Sequence, residues 1–287
     1  MADSEVETLI AQLTDIDHEV RRFAAKKLKE LKDANAAFAL SIALADKDIF
    51  VRNYATDALI LIGEQSLKYV SEQLKHEDPE VRNRALSIFK HIKSPKFTER
   101  VVPLLGDEDE ENRIIARQVL QTALSPEAEK LLFEAVKDQN KEKSMRELAL
   151  QVLLTNPRPS LEKEIIEVLE KRDTDDFGVS SAAKLLIHSF PEGHEIFKEK
   201  LNDENPHVRI GAIITTASEN DNRALRKIAE KLRDPNQEVR TTAANVLGEK
   251  GNAIVLSYLE EAMQDPNLGI WKACRDAINK IKERIEQ

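Results

Sequence analysis

The sequence predicts an all-α protein, an α-α superhelix (solenoid) of about nine stacked helix pairs. Charged residues make up 33% of the 287 residues and aromatic residues only 5%, a composition typical of helical proteins. Glycine and proline are scarce, at 8 and 10 residues, which argues against the many turns of a β-sandwich or β-barrel. A short motif also returns every 29–34 residues, and a period of this length is typical of repeat proteins.

The repeated motif is built around an apolar residue followed by arginine, as in Val51-Arg52 and Val81-Arg82. If the position equivalent to Val51 is position zero, nine copies have it at 20, 51, 81, 112, 145, 179, 208, 239 and 270, and the fourth copy has Asn112 there. We therefore expect a single repeat array over residues 1–287. The longest steps and the degenerate copy Val179-Ser180 make the segment near 156–180 a candidate joint within the array.

The second helix of each pair is predicted to begin three residues before position zero. Eight of the nine copies carry Asp or Asn there, the residue types that favour helix N-caps. The cap positions are Asp17, Asp48, Asp78, Asp109, Glu142, Asp176, Asn205, Asn236 and Asn267. Four residues after zero stand eight alanines and Cys274, and the eighth residue after zero is apolar in every copy except the seventh. Offsets of zero, four and eight form one apolar stripe, and the alanines predict a close approach by another helix.

The first helix of each pair is predicted from apolar residues at helical spacing before the cap. One example is the series Phe97, Val101, Leu104 and Leu105. The unit is therefore helix, short turn and capped helix. A single pair cannot bury its apolar stripe, so neighbouring pairs are expected to stack.

The pattern D-x-x-V-R-x-x-A-x-x-x-L, which runs from Asp48 to Leu59, resembles HEAT repeats. The closest resemblance is to the short HEAT-like repeats of phycobilisome-lyase-type proteins, and it covers the whole chain. It implies a solenoid whose second helices line a concave face, and such arrays mostly bind partners. It also implies an alternative function, a bilin lyase subunit or a chaperone that handles phycobiliproteins.

Seven copies carry arginine directly after position zero. These residues are Arg21, Arg52, Arg82, Arg113, Arg146, Arg209 and Arg240. In HEAT-like repeats this arginine usually bonds the cap acid or the helix-end carbonyls of a neighbouring repeat. The resemblance therefore implies a structural ladder between turns, rather than a basic stripe that binds phosphates.

A partner-binding surface is predicted where polar positions become apolar. The second and sixth residues after zero point away from the packing stripe and are polar in the first three repeats. They change to Ile114, Leu185, Ile210 and Ile214 in later repeats, so we expect an apolar patch across repeats 6 and 7 on the concave face. Trp271 is a further candidate contact, or else part of a terminal cap. The open alternative is that tight curvature buries these side chains.

The sequence contains no recognisable catalytic motif. We therefore expect no catalytic, cofactor-binding or metal-ligating residue, and no cofactor is assigned. One cysteine excludes a disulfide framework, and the three His-Glu pairs stand at different registers and cannot converge on a metal. The net charge of −9 argues against a nucleic-acid-binding array, which is the third alternative.

The sequence therefore predicts a cytoplasmic scaffold or adaptor that binds a protein partner and does not act on membranes. No apolar run approaches the length of a membrane span, and the N-terminus does not resemble a signal peptide. The partner's identity and the oligomeric state stay open.

Overall fold

The computed structural model describes residues 2–155, 159–171, 174–219 and 221–286. These residues form sixteen α-helices and no strand, which confirms the predicted all-α superhelical repeat class. The chain divides into two compact units, Met1–Thr155 and Asn156–Gln287. The predicted joint near 156–180 stays a prediction, and its residues 156–158 and 172–173 lie outside the described residues.

The first unit contains nine of the α-helices. They are α1 (Ala2–Gln12), α2 (His18–Leu31), α3 (Ala37–Ile42), α4 (Ile49–Ile62), α5 (Leu67–Gln73), α6 (Pro79–Ile92), α7 (Glu110–Thr122), α8 (Pro126–Lys137) and α9 (Lys143–Leu153). The second unit contains the other seven. They are α10 (Glu162–Lys171), α11 (Asp176–Ser189), α12 (Pro206–Ala217), α13 (Asn222–Glu230), α14 (Gln237–Lys250), α15 (Leu256–Ala262) and α16 (Leu268–Glu286).

Most second helices begin at the predicted cap. In α4, for example, the Asp48 carboxylate accepts hydrogen bonds from the backbone N–H groups of Phe50 and Val51, at 2.9 and 3.2 Å. One predicted cap position is wrong, and another is correct but lacks a side-chain bond. Glu142 makes no side-chain cap hydrogen bond to α9. Helix α11 is capped by Asp175 instead of Asp176.

The shift of the α11 cap by one residue has a visible cause in the packing of the second unit. The Asp176 carboxylate accepts a hydrogen bond of 2.7 Å from Asn205 Nδ2, the cap residue of the next repeat. Asp175 has extended backbone angles and accepts from the Gly178 N–H at 2.9 Å. The two adjacent acids therefore divide between them the cap and the contact to the following repeat.

The predicted column of small residues lies in the core. Its eight alanines and Cys274 are all fully buried. In the second unit, Ala243 and Cys274 belong to one apolar cluster that joins α12 to α16. A larger side chain at these positions would separate the helices, because protein interiors are close-packed.

Two predicted first helices are reduced to short 3-10 segments. The segment around Phe97–Leu105 forms Thr98–Arg100 and Val102–Gly106 rather than an α-helix. Pro103 lies within it, and a proline cannot donate the backbone hydrogen bond that a continuing helix needs. Among the described residues between α11 and α12, the only helical segment is the 3-10 turn Glu195–Phe197, and the fully buried Phe197 ring occupies the space beside α12.

The single thiol provides a test of the core of the second unit. Burial raises the pKa of Cys274 to about 11, so very little thiolate exists at pH 8 in the folded protein. We expect a disulfide reagent to leave Cys274 unmodified in the native chain and to react within minutes once the second unit unfolds. Rapid labelling of the native chain at the rate seen in urea would contradict this burial.

Candidate partner-binding surface

The arginine column forms hydrogen bonds within each unit. Arg209 donates through Nη1 to the carbonyl oxygens of Asp203 and Glu204, in its own turn, at 2.8 and 2.9 Å. Its Nε and Nη2 atoms donate to both carboxylate oxygens of Asp234 in the next repeat, at 2.8 and 2.7 Å. Equivalent arginine–aspartate bonds are Arg21–Asp46, Arg82–Asp107 and Arg240–Asp265.

The acid in these pairs stands five residues before position zero, not at the cap as expected. Each of these aspartates also accepts the backbone N–H of the cap residue, as Asp46 does from Asp48 at 2.8 Å. The recurring pattern of Asp, any residue, then Asp or Asn was visible in the sequence and is the missed signal. Where the next repeat has no acid at this position, as with His76 for Arg52 and Asn140 for Arg113, the arginine still donates to the carbonyls of its own turn.

The predicted patch in repeats 6 and 7 is not a continuous exposed surface. Leu185 is only 1% exposed, so its assignment to a surface patch is wrong, because this side of α11 is buried in the core. Ile210 is half-buried and packs against the apolar cluster of the second unit, and Ile214 is half-buried too. Trp271 is half-buried with the Arg275 guanidinium 5.0 Å from its ring centre. Ile114, in the first unit, is 42% exposed.

Exposed apolar side chains instead concentrate near the start of the first unit. Thirteen large apolar side chains are exposed among the described residues, and eight of them lie between positions 16 and 61. The eight are Ile16, Phe23, Leu31, Phe38, Ile42, Ile49, Phe50 and Leu61. Exposed apolar side chains that share one groove mark interaction sites in soluble proteins, so the groups within this set are candidate binding surfaces.

Three aromatic rings form a groove on the second helices of repeats 1 and 2. Two of the rings belong to this exposed set, and the third lies next to them. Phe23 on α2 and Phe50 on α4 are 54% and 51% exposed, and Tyr54 lies beside them. The groove has a volume of about 340 Å³ and is also lined by Arg22 and Lys26. We call this the aromatic groove.

Internal ion pairs hold the aromatic groove in place. Arg22 donates through Nε and Nη2 to the Asp48 carboxylate at 2.9 and 2.6 Å, and its guanidinium carbon lies 4.7 Å from the centre of the Phe50 ring. The hydrogen bond from Arg22, together with the backbone N–H groups of Val51 and Phe50, holds the pKa of Asp48 far below its usual range. The pair is therefore ionised at any physiological pH.

The charges around the aromatic groove are largely balanced within the protein. Lys29 Nζ lies 2.7 Å from the Asp57 carboxylate and 5.7 Å from the centre of the Tyr54 ring. Rigid aromatic rings with a paired, charged rim have the composition of a protein-binding hot spot. The sequence offered a signal for it: the residue before position zero is Glu in several repeats, such as Glu19, Glu80 and Glu111, but it is Phe50 in repeat 2.

Neither a metal-holding cluster nor a membrane-spanning helix is found among the described residues. Among them, no group of three or more His, Cys, Asp or Glu side chains is arranged to hold a metal ion. No helix of the described ranges is long and apolar enough to cross a bilayer.

Comparison with known proteins supports the repeat assignment. A family model of HEAT repeats matches residues 6–87, 67–153 and 194–279. No curated protein is significantly similar to the chain. Human deoxyhypusine hydroxylase in complex with glycerol is similar with a TM-score of 0.36 at 17% identity, over 98% of this chain and 96% of that one.

Karyopherin structures superpose better than the hydroxylase. A mutant of Kap121p has a TM-score of 0.65 at 13% identity, over 98% of this chain and 38% of that chain. The karyopherin Kap121p bound to the extreme C-terminus of the protein phosphatase Cdc14p has a TM-score of 0.57 at 14% identity, with the same coverages of 98% and 38%. This chain therefore spans less than half the length of the karyopherin, and the likeness shows the fold alone.

Proposed function

Because this chain belongs to the HEAT-repeat family, we propose that it is a non-catalytic scaffold that binds a protein partner through the second helices of its N-terminal repeats. The observation that carries the proposal is the aromatic groove, where Phe23 and Phe50 are each more than half exposed. Solitary exposed apolar residues are ordinary, but two phenylalanines and a tyrosine around one groove are not.

The physical argument rests on preorganisation. Arg22 is held by Asp48 and Glu19 and lies over Phe50, so the groove needs little reordering when a partner binds. Association is weakened mainly by the ordering of mobile side chains, and a rigid aromatic site avoids much of that cost. An apolar side chain of the partner would enter between the rings, with polar contacts at the rim.

The position on second helices agrees with the concave face implied by the family resemblance. Ile114 lies on α7, the second helix of repeat 4, and we propose it as a further contact on this face. Ile210, Ile214 and Trp271 stay predicted contacts of the second unit. The similar karyopherin structure is bound to the C-terminus of a phosphatase, so this fold is able to present a face to a protein segment.

The test is affinity capture with the full chain and two double variants. We expect a partner retained by the wild type to bind Phe23→Ser with Phe50→Ser at least 30-fold more weakly, because loss of a hot spot costs about 2 kcal/mol or more. The matched control is Leu131→Ser with Tyr258→Ser, which removes exposed apolar residues from the first helices α8 and α15. Capture of the same proteins by all three forms would overturn the proposal.

The phycobilisome-lyase-type resemblance implies the alternative function of a bilin lyase subunit or a phycobiliprotein chaperone, and it stays a prediction. It differs from the scaffold in one direct readout, a visible absorbance band after the chain is mixed with a free bilin. A nucleic-acid-binding array would differ through an affinity for DNA that falls steeply with salt. The cytoplasmic location also stays a prediction.

A further inference from the structure

A second and larger groove lies on the opposite elements of the same repeats. It has a volume of about 850 Å³ and runs between α1 and α3 and their following turns. Ile16, Phe38 and Ile42 line it and are 100%, 58% and 53% exposed. Its other lining residues include alanines, Ala11, Ala39 and Ala43 among them, which leave a recess between these larger side chains. We call this the first-helix groove.

The other repeats show that the fold does not require apolar residues here. Phe38 and Ile42 stand 13 and 9 residues before position zero of repeat 2. The same two positions are polar and exposed in other repeats: Lys68 and Glu72, Arg226 and Glu230, Ser257 and Glu261. These three repeats therefore stack with polar or charged side chains at these positions. In repeat 2 the Phe38 ring meets the Tyr69 ring of the next repeat edge-on, with ring centres 5.7 Å apart, while Phe38 and Ile42 both stay more than half exposed.

The charges of the first-helix groove are compatible with a second copy of the chain as its occupant. Four of its lining residues are charged, and they are two acids, Asp15 and Asp46, and two bases, Arg21 and Lys47. The groove is thus locally neutral on a chain whose net charge is −9. Two copies repel one another through their net charge, and this groove adds no net charge of its own to that repulsion.

The shape of the first-helix groove also suits a second copy. A two-fold interface joins the same patch on both subunits, so the patch must contain both the protrusions and the recess. Phe38 and Ile42 provide the protrusions, and the alanines provide the recess. We propose that the chain forms a two-fold homodimer in which Phe38 and Ile42 of each copy enter the first-helix groove of the other.

The size of the patch sets the expected strength. A standard interface buries about 800 Å² on each partner, and three side chains of this size supply the apolar centre but less than half of that area. We therefore expect a weak dimer, with a dissociation constant on the order of 10–100 µM. Since screening reduces the repulsion between two acidic copies, higher salt should tighten the dimer, by roughly two- to fivefold between 50 and 500 mM.

The experiment is sedimentation of the full chain from about 5 to about 500 µM, a range that brackets the expected constant. The wild type should pass from monomer to dimer, and Phe38→Glu with Ile42→Glu should stay monomeric throughout. The control Leu131→Glu also replaces an exposed apolar residue on a first helix, α8, and should dimerise as the wild type does.

A second variant guards against a folding defect in the double variant. Ile16 lies in a turn and is fully exposed, so Ile16→Glu should fold normally and weaken the dimer at least fivefold. A wild type that is monomeric at every concentration would overturn the proposal. So would a dimer that tolerates the double variant, or one that weakens as salt rises. Phe23→Ser with Phe50→Ser should still dimerise, which separates this proposal from that of the aromatic groove.

Discussion

Replacing Asp234 with alanine is expected to destabilise the second unit by about 3–5 kcal/mol. The Asp234 carboxylate accepts two hydrogen bonds from Arg209, and both side chains are almost completely buried. The substitution leaves a buried guanidinium charge without its counter-ion, and it also removes the acceptor for the Asn236 N–H. Thermal or urea unfolding, with Cys274 labelling as the local readout, would measure the loss.

Two comparisons make this prediction specific to burial. Asp57→Ala breaks the Lys29–Asp57 pair, which is much more exposed, and should cost less than about 1 kcal/mol. Arg209→Met together with Asp234→Leu should recover most of the stability lost in Asp234→Ala, because the isolated charge is gone. If Asp234→Ala lies within about 1 kcal/mol of the wild type, the ladder does not hold these repeats together.

Replacing Phe197 with alanine should cost a similar amount, about 3–5 kcal/mol. Repeat 7 has no α-helix before its capped helix, and the short segment Glu195–Phe197 packs a fully buried ring against α12 instead. The close contact is possible because residue 211 is glycine: a Cβ atom there would lie 2.7 Å from the Phe197 ring. Without the ring, a cavity would replace the contact. Leu131→Ala, at an exposed site on α8, should change stability by less than about 0.5 kcal/mol.

Gly211 allows a test in which the sign of the effect reverses. In the wild type, Gly211→Ala should destabilise α12, because the new methyl group meets the Phe197 ring. In the Phe197→Ala background the same change should stabilise by about 0.5–1 kcal/mol, since alanine favours a helix more than glycine does. Equal effects in both backgrounds would mean that the ring does not pack on this glycine.

The sequence was a good guide wherever a repeat position has one physical role. The Asp and Asn caps and the buried alanines behave as expected, because capping and close helix packing depend on local residue type. Reasoning from local patterns was weaker at Asp175, where two adjacent acids compete for one cap. It was weakest for surfaces, because helical spacing alone cannot tell an exposed Ile114 from a buried Leu185.

The sequence by itself determined the architecture: nine copies of one motif, each with a cap and an apolar stripe that requires a stacked neighbour. The tertiary structure decided which apolar residues face solvent, and it moved the candidate binding surface to the first two repeats. The physical reason is that exposure depends on residues about 30 positions away. Arg22 reaches Asp48 over 26 positions, and the side chains around Phe50 come from two repeats. A periodic pattern describes one helix at a time, whereas a groove exists only after its neighbours have packed.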